Sequence, residues 1–416
     1  MIKNLRLRYR ISRFRGQYPA QFWLLFWGMM ISTLGASMIW PFLMIYVSER
    51  LDLPMATVAS LLTLNAATGL LASLIAGPIV DRSGRKWAMV ISLAFTGLTY
   101  LAMIPANSLL HFAILMAVRG LFNPLYRIGT DAMLADLIPS EQRADAYALT
   151  RLSKNVGVSL GPAIGGLVAS ASYNIAFQIA AVGLFFFSLL IAFFATETLP
   201  KTKAASAASQ QGALKSYAKI FADKPFMLVA IALLFIQIGS ATVWVLLAVY
   251  AKQNFQVLES QYGLIPMTNA LMVVLFQVFV TRVTKRRFPP LMMALGAFFY
   301  AAGVGSIAMG DGFLDFWTSM IVMTIGELIL VPTAITFVAD LAPPDMRGRY
   351  MSVYSLTWGV ASGIGPVVGG YLNDNLNPRA MWYGGGAIAL LGMLIFLILA
   401  QRMQSKGWKN VSANLG

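Results

Sequence analysis

The chain has 416 residues, of which 58% are hydrophobic and 11% charged, and its mean hydropathy is +0.71. Soluble domains carry about 25% charged residues, so this composition excludes a soluble globule and indicates an integral membrane protein. No cysteine is present, which excludes disulfides, thiolate metal sites and cysteine nucleophiles.

Apolar stretches in this chain have the length of membrane-spanning helices. About 20 apolar residues cross the hydrocarbon layer as a helix, and a helix satisfies its own backbone hydrogen bonds there. The sequence predicts twelve such spans, at 20–47, 57–80, 87–105, 111–136, 147–170, 175–196, 225–251, 261–282, 289–309, 315–341, 350–372 and 380–402.

A polar stretch rich in small residues divides these spans into six plus six. It predicts a flexible linker over 197–224. We therefore expect an all-α membrane protein with two six-helix bundles. The expected domains are a basic arm, an N-terminal bundle, the linker, a C-terminal bundle and a tail, at 1–19, 20–196, 197–224, 225–402 and 403–416.

The two halves are related by a repeat with a fixed offset of 204 residues. Residues 135–166 match 339–370 without a gap, so that Gly161-Pro162 recurs as Gly365-Pro366. A half-length repeat in so apolar a chain is typical of a two-lobed transporter, because substrate paths form between repeated helical bundles. The repeat therefore predicts pseudo-symmetric bundles.

The net charge of +15 is distributed unevenly across the predicted membrane. With the N-terminus inside, 24 of the 31 Lys and Arg residues lie on the inner side, and only Arg50, Lys252 and Arg379 lie outside. This asymmetry predicts a multi-pass protein of the cell inner membrane with both termini in the cytoplasm. We expect the basic arm to contact anionic lipids, and we expect no nucleic-acid partner.

The connection between spans two and three carries a charged motif whose glycines are expected to permit a tight turn between closely packed helices. Residues 77–86 resemble the G-xxx-D-[RK]-x-G-[RK]-[RK] loop of the major facilitator superfamily, a resemblance that extends over the whole chain. It implies that the aspartate caps a helix of the opposite half and that an arginine pairs with the acid ending span four. Simple topological anchoring is the alternative. The implied gating residues are Gly77, Asp81, Arg82, Gly84, Arg85, Lys86 and Asp136.

Span five contains small residues around a proline. Residues 157–166 resemble the G-xxx-G-P-xx-G-G motif of the superfamily's drug:proton antiporters. Small residues at spacings of four allow two helices to approach closely, and proline kinks the helix that contains it. A helix with both properties suits a gating role. The alternative is close helix packing with no bearing on the direction of transport. The gating residues assigned here are Gly157, Gly161, Pro162, Gly165, Gly166, Gly365 and Pro366.

Charges at membrane depth are costly and usually face a cavity or a partner. Arg119, Asn123, Arg127 and Asp131 follow each other at intervals of four residues along span four and form one polar stripe, which we expect to face inward. Asn123 and Arg127 are assigned to the substrate cavity. Arg119 is similar to the span-four arginine of the antiporters, which implies a role in proton handling.

Glu327 lies at the middle of span ten in apolar surroundings. Such surroundings favour the neutral form of a carboxyl, so Glu327 is the first candidate for a proton carrier. A permanently protonated structural acid is the alternative. Asp131 is the second candidate, although pairing with Arg127 would hold it ionised.

Aromatic and polar side chains in three spans are candidates for a promiscuous apolar pocket, although aromatic residues in membrane helices also simply pack. The candidates are Trp40, Tyr46, Gln237, Trp244, Tyr354 and Trp358. They predict a hydrophobic or amphipathic small-molecule substrate.

Three classes of function remain open. The first is a proton-driven multidrug exporter, acting as a monomer with no cofactor and no metal. The second is a transporter or flippase for anionic amphipathic molecules or lipids, and the third is a membrane enzyme or sensor, which has little support. A proton-coupled nutrient or peptide symporter is a less favoured alternative. Gly326-Glu327 followed by Pro332 resembles the span-ten pattern of proton-coupled peptide transporters, but span one lacks their E-xx-E-R pattern, which disfavours peptide uptake. Direct use of ATP is disfavoured because no phosphate-binding loop is present.

Overall fold

The computed structural model describes residues 18–139, 142–199, 219–343 and 346–405. This part of the chain is helical and contains no strand, so the prediction of an all-α membrane protein is confirmed. Most of the basic arm, most of the predicted linker and most of the tail lie outside the described residues. The long helices are α1 Ala20–Leu51, α2 Met55–Ser83, α3 Arg85–Met103, α4 Leu109–Leu137, α5 Arg143–Ala171, α6 Tyr173–Phe194, α7 Lys224–Phe255, α8 Leu264–Thr284, α9 Pro289–Ser306, α10 Phe313–Leu341, α11 Arg347–Asn375 and α12 Ala380–Ser405.

Ten of these helices are long and apolar enough to cross a membrane. The two long helices outside this set are α5 and α11, which begin at Arg143 and Arg347 and are rich in glycine and hydroxyl-bearing residues. These are the two helices that carry the repeated Gly-Pro motif. Their small residues allow close contact with a neighbouring helix, as described below, but they make the helices themselves less apolar.

Several helices extend beyond the predicted spans. The helix α2 continues through Gly77 and Asp81 to Ser83, so the predicted tight turn is confined to Gly84, whose φ of 94° favours glycine. The expectation that Gly77 forms part of the turn is wrong. A Cβ added at Gly77 would meet nothing within 4 Å, so neither backbone geometry nor packing requires glycine there.

The helices form two compact units. The first comprises residues Met1–Trp40 and Ala67–Lys203, with α3 packed between α4 and α6. The second comprises Pro41–Ala66 and Ala204–Gly416, with α9 packed against α10 and α12, and α7 against α11 and α12. The second unit therefore includes Pro41–Ala66, the end of α1 and the start of α2, which we call the hairpin segment.

The repeat reappears in three dimensions as the same glycine-mediated helix contact. A Cβ added at Gly161 in α5 would lie 2.9 Å from the carbonyl oxygen of Leu34 and 2.5 Å from the Cβ of Ser37, both in α1. Glycine at 161 therefore allows the two helices to touch along their backbones.

The second half makes the equivalent contact between α11 and α7. A Cβ added at Gly365 would lie 2.6 Å from the carbonyl oxygen of Ile238 and 3.2 Å from the Cβ of Ala241. Each of these three positions follows its counterpart in the first half by the same 204 residues. The sequence repeat thus specifies a repeated packing arrangement as well as a repeated motif.

Candidate functional site

Glu327 lies in the middle of α10, where an amide from α8 contacts its carboxyl group. The Nδ2 atom of Asn269 donates to Glu327 Oε2 at 2.8 Å and to Thr324 Oγ1 at 2.9 Å. Asn269 is 5% exposed and Thr324 fully buried, whereas Glu327 is only partly shielded. The carboxyl therefore has a fixed donor on one oxygen.

Close contact between α9 and α10 brings a tyrosine near the carboxyl group of Glu327. A Cβ added at Gly326 would lie 2.6 Å from the carbonyl oxygen of Gly296, so glycine allows the two backbones to meet one residue before Glu327. Tyr300 of α9 interacts electrostatically with Glu327 and hydrogen bonds to Ser240 of α7. Polar groups from four helices thus converge near one carboxyl.

Sequence reasoning identified Glu327 but missed Asn269, Thr324 and Tyr300. A signal was present, because Asn269 and Gln277 are amides inside an otherwise apolar predicted span. Buried amides require partners, so their presence indicates a polar group on a neighbouring helix. The amino-acid sequence does not reveal which helix supplies that partner.

The predicted pocket residues of the second unit differ in their surroundings. Gln237 accepts a hydrogen bond from Thr357 at 2.9 Å, and Trp358 is 45% exposed. Tyr46 is 6% exposed and lies 5.8 Å from the guanidinium of Arg50, so it is packed within the protein. Trp244 and Tyr354 are partly shielded.

Arg119 lies between two aromatic rings of the first unit. Its guanidinium is 5.1 Å from the ring centroid of Trp40 and 5.5 Å from that of Tyr100. Its buried Nη1 has no hydrogen-bond partner, and Arg119 forms no ion pair within the described ranges. Aromatic faces therefore provide its main compensation for burial.

The remaining residues of the α4 stripe are exposed, namely Asn123, Arg127 and Asp131. Among the residues described here, Arg127 and Asp131 do not form a salt bridge. The cation that interacts most with Asp131 is Lys154 of α5, and Arg127 contributes less. The interaction between Asp131 and Arg127 is thus weaker than their spacing of four residues along α4 suggested.

The charged motif before α3 contains the ion pair that the family resemblance implied. Arg85 pairs with Asp136 at the end of α4, as the family resemblance implied. Asp81 and Arg82 are exposed and form no ion pair with a described residue. The assignment of Arg85 to the pair is therefore supported by contact, whereas the helix-capping role of Asp81 stays a prediction.

The N-terminus of α3 is capped by a residue that the sequence analysis placed in the linker. Glu197, just after α6, accepts hydrogen bonds from the backbone N–H groups of Arg85 at 3.0 Å and Lys86 at 3.1 Å. A Cβ added at Gly84 would lie 2.4 Å from Glu197 Oε2. Glycine at 84 thus serves both the positive φ and the close approach of this carboxylate.

The hairpin segment is bound to α11 through the start of α2. Asp374 accepts hydrogen bonds from the backbone N–H groups of Met55 at 3.2 Å and Ala56 at 2.9 Å. A Cβ added at Gly370 would lie 2.6 Å from the backbone of Ala56, so α11 contacts the segment directly. The carboxylate satisfies donors that a helix N-terminus leaves unpaired.

Charged and polar side chains bind the end of α1 to α7. Lys252 pairs with Glu49 at 2.6 Å and with Glu259 of the short helix Glu259–Tyr262. Gln253 donates to Ser48 at 2.9 Å. Sequence analysis had used Lys252 only as a marker of topology and did not predict these contacts.

Comparisons with known proteins place these features in context. The family model described as Major Facilitator Superfamily matches residues 25–245 and 229–415. A Na(+), Li(+), K(+)/H(+) antiporter of Planococcus maritimus is 28% identical, with 86% of this chain and 89% of the relative covered. The quinolone resistance protein NorA of Staphylococcus aureus, strain MRSA252, is 23% identical, with 92% and 97% covered.

Solved structures resemble the fold at low sequence identity. A peptide transporter POT in complex with sulfate has a TM-score of 0.77 and 18% identity, covering 92% of this chain and 95% of that one. The nucleoside transporter NupG has a TM-score of 0.78 and 12% identity, covering 91% and 99%. At these identities the likeness concerns the fold alone.

Proposed function

Because the chain belongs to the Major Facilitator Superfamily and is a multi-pass membrane transporter rather than an enzyme, we propose that it exports hydrophobic or amphipathic small molecules in exchange for protons. The observation that carries this proposal is Glu327, a carboxyl at the middle of an apolar helix with a dedicated amide donor. The antiporter of Planococcus maritimus and NorA support antiport and drug export, respectively, as activities of related chains.

Coupling follows from the cost of charge at membrane depth. A proton that enters from outside neutralises Glu327, which favours a conformation that excludes water from this carboxyl. Release of the proton to the inside leaves a charge that a lipophilic cation can compensate. Asp131 is the second proton-carrying candidate, and Lys154 of α5 is the cation that interacts with it most.

The aromatic and amide side chains of α7 and α11 supply the proposed binding surface. Trp358 is accessible, and Gln237 has a hydrogen-bond partner in Thr357 that orients its amide. Apolar surfaces that can repack tolerate varied ligands. We place the protein in the cell inner membrane, as a monomer with both termini in the cytoplasm and with no cofactor.

A second candidate function is transport of anionic amphipathic molecules or lipids. The observation that favours it is Arg119, which has aromatic neighbours but no carboxylate partner in the described residues. An anionic substrate group would supply the missing counter-charge. Arg127 and Lys154 add positive charge in the same half of the chain.

The test is proton-gradient-driven flux in proteoliposomes, with one lipophilic cation and one amphipathic anion. The comparison is between the native protein, Glu327→Gln and Asp315→Asn, because Asp315 is an exposed acid in the first turn of the same helix. Cation efflux that collapses in Glu327→Gln but persists in Asp315→Asn supports the antiporter. Anion movement indifferent to both substitutions favours the second function.

A further inference from the structure

We infer that Asn269, oriented by Thr324, sets the proton affinity of Glu327 and therefore the pH range over which transport is coupled. This inference rests on the proposed function, in which Glu327 carries the proton. Asn269 is a positioning residue on α8, and it reaches α10 through both hydrogens of its amide, at 2.8 Å and 2.9 Å.

The orientation of the Asn269 amide follows from the partner of the Thr324 hydroxyl. Thr324 donates its own proton to the carbonyl oxygen of Met320 at 2.7 Å. Its oxygen can therefore only accept from Asn269, which turns the amide nitrogen, rather than the amide oxygen, toward α10. Because the same nitrogen contacts Glu327, that carboxyl faces a donor whether or not it carries a proton.

A fixed donor distinguishes the two protonation states of a carboxyl. A hydrogen bond to an ionised oxygen is stronger than one to a neutral oxygen, so Asn269 stabilises the charged form of Glu327. Burial has the opposite effect, because it penalises charge. The amide thus counteracts the apolar surroundings and makes release of the proton easier.

The other groups that face Glu327 do not perform this function. Helix α9 contributes Tyr300, which is close to Tyr354 of α11 and hydrogen bonds to Ser240 of α7. In the described part of the chain Glu327 forms no ion pair, and Asn269 is the residue that donates a hydrogen bond to its carboxyl. Loss of this amide therefore removes the donor that favours the charged form of Glu327.

The test measures proton release from detergent-purified full-length protein when tetraphenylphosphonium, a lipophilic cation, is added in weak buffer over a pH series. We expect Asn269→Leu to shift the midpoint of release upward by about one pH unit, because the charged form loses its donor. Thr324→Val should shift it in the same direction by less, since the amide can then turn its oxygen toward a protonated carboxyl. Thr324→Ser should restore the native midpoint.

The matched control is Gln277→Leu. Gln277 is a second amide of α8 that reaches α10, where it donates to the carbonyl oxygen of Leu328 at 3.1 Å without contacting Glu327. Its removal disturbs the same helix interface and should leave the midpoint unchanged. A shift in Gln277→Leu equal to that in Asn269→Leu would assign the effect to packing and overturn the inference.

The experiment also separates this inference from the proposed function. If Glu327→Gln still releases protons and transports with the gradient, the proposed function fails. If Glu327→Gln abolishes release while Asn269→Leu and Thr324→Val keep the native midpoint, the proposed function stands and the inference about Asn269 is wrong. Should Asn269→Leu fail to fold, the Thr324→Val and Thr324→Ser pair decides the question.

Discussion

The backbone N–H of Arg85 donates to the carboxylate of Glu197 at 3.0 Å, while the side chain of Arg85 pairs with Asp136. One residue at the start of α3 thus connects the ends of α6 and α4. The resemblance to a known motif predicted the second of these contacts and not the first. The connection to α6 is the part of this arrangement that the motif does not contain.

Replacement of Glu197 should destabilise the protein through loss of a helix cap. We expect Glu197→Ala to cost about 1 kcal/mol, the usual effect of removing an N-terminal cap. Thermal unfolding in detergent, followed by tryptophan fluorescence, measures the loss. Asp81→Ala is the control, because Asp81 is an exposed acid near the end of α2 that forms no ion pair with a described residue. Equal destabilisation by both substitutions would contradict the capping role.

The Arg85–Asp136 pair should contribute more than an exposed pair elsewhere in the protein. Its side chains are 12% and 27% exposed, whereas those of Arg379 and Asp311 are 47% and 72% exposed. Double-mutant cycles should give a coupling of about 1.5 to 3 kcal/mol for the first pair and below about 1 kcal/mol for the second. A larger coupling for the exposed pair would show that burial does not determine the difference.

The two glycines of the repeated contact should respond alike to alanine. Gly161→Ala and Gly365→Ala each place a Cβ under 3.0 Å from the neighbouring helix, and overpacking of this kind costs about 1 to 3 kcal/mol. Gly77→Ala should be tolerated or slightly stabilising, because that position is open and alanine favours helix. Thermal unfolding compares the three variants, and tolerance of alanine at both 161 and 365 would refute the packing argument.

Loss of Asp374 should release the start of α2. Asp374→Ala removes the acceptor for the N–H groups of Met55 and Ala56, so hydrogen exchange at these two amides should become faster. Asn375→Ala provides the control, since Asn375 bonds instead to the carbonyl oxygen of Tyr371 in its own helix. Unchanged exchange in Asp374→Ala would show that packing alone holds the hairpin segment.

Local patterns predicted the helices and the repeat, because apolar length and motif spacing are properties of short stretches. The pairing of an arginine of the charged motif with Asp136 was implied by the family resemblance instead. The contacts of Asn269, Glu197 and Asp374 join residues 58, 112 and 318 positions apart. Helical periodicity does not relate positions so far apart in the sequence. The packing of the whole fold determines which faces of two helices meet, and therefore which side chains come into contact. A polar residue inside an apolar span indicates that a partner exists without identifying it.

The hairpin segment also affects how related proteins can be recombined. A chimaera joined within the linker would separate Glu49 from Lys252, and the start of α2 from Asp374, whenever the two halves came from different parents. Junctions placed at Trp40/Pro41 and Ala66/Ala67 would keep these contacts within one parent. The linker between the two halves of the repeat is therefore not the boundary at which pieces of this fold can be exchanged.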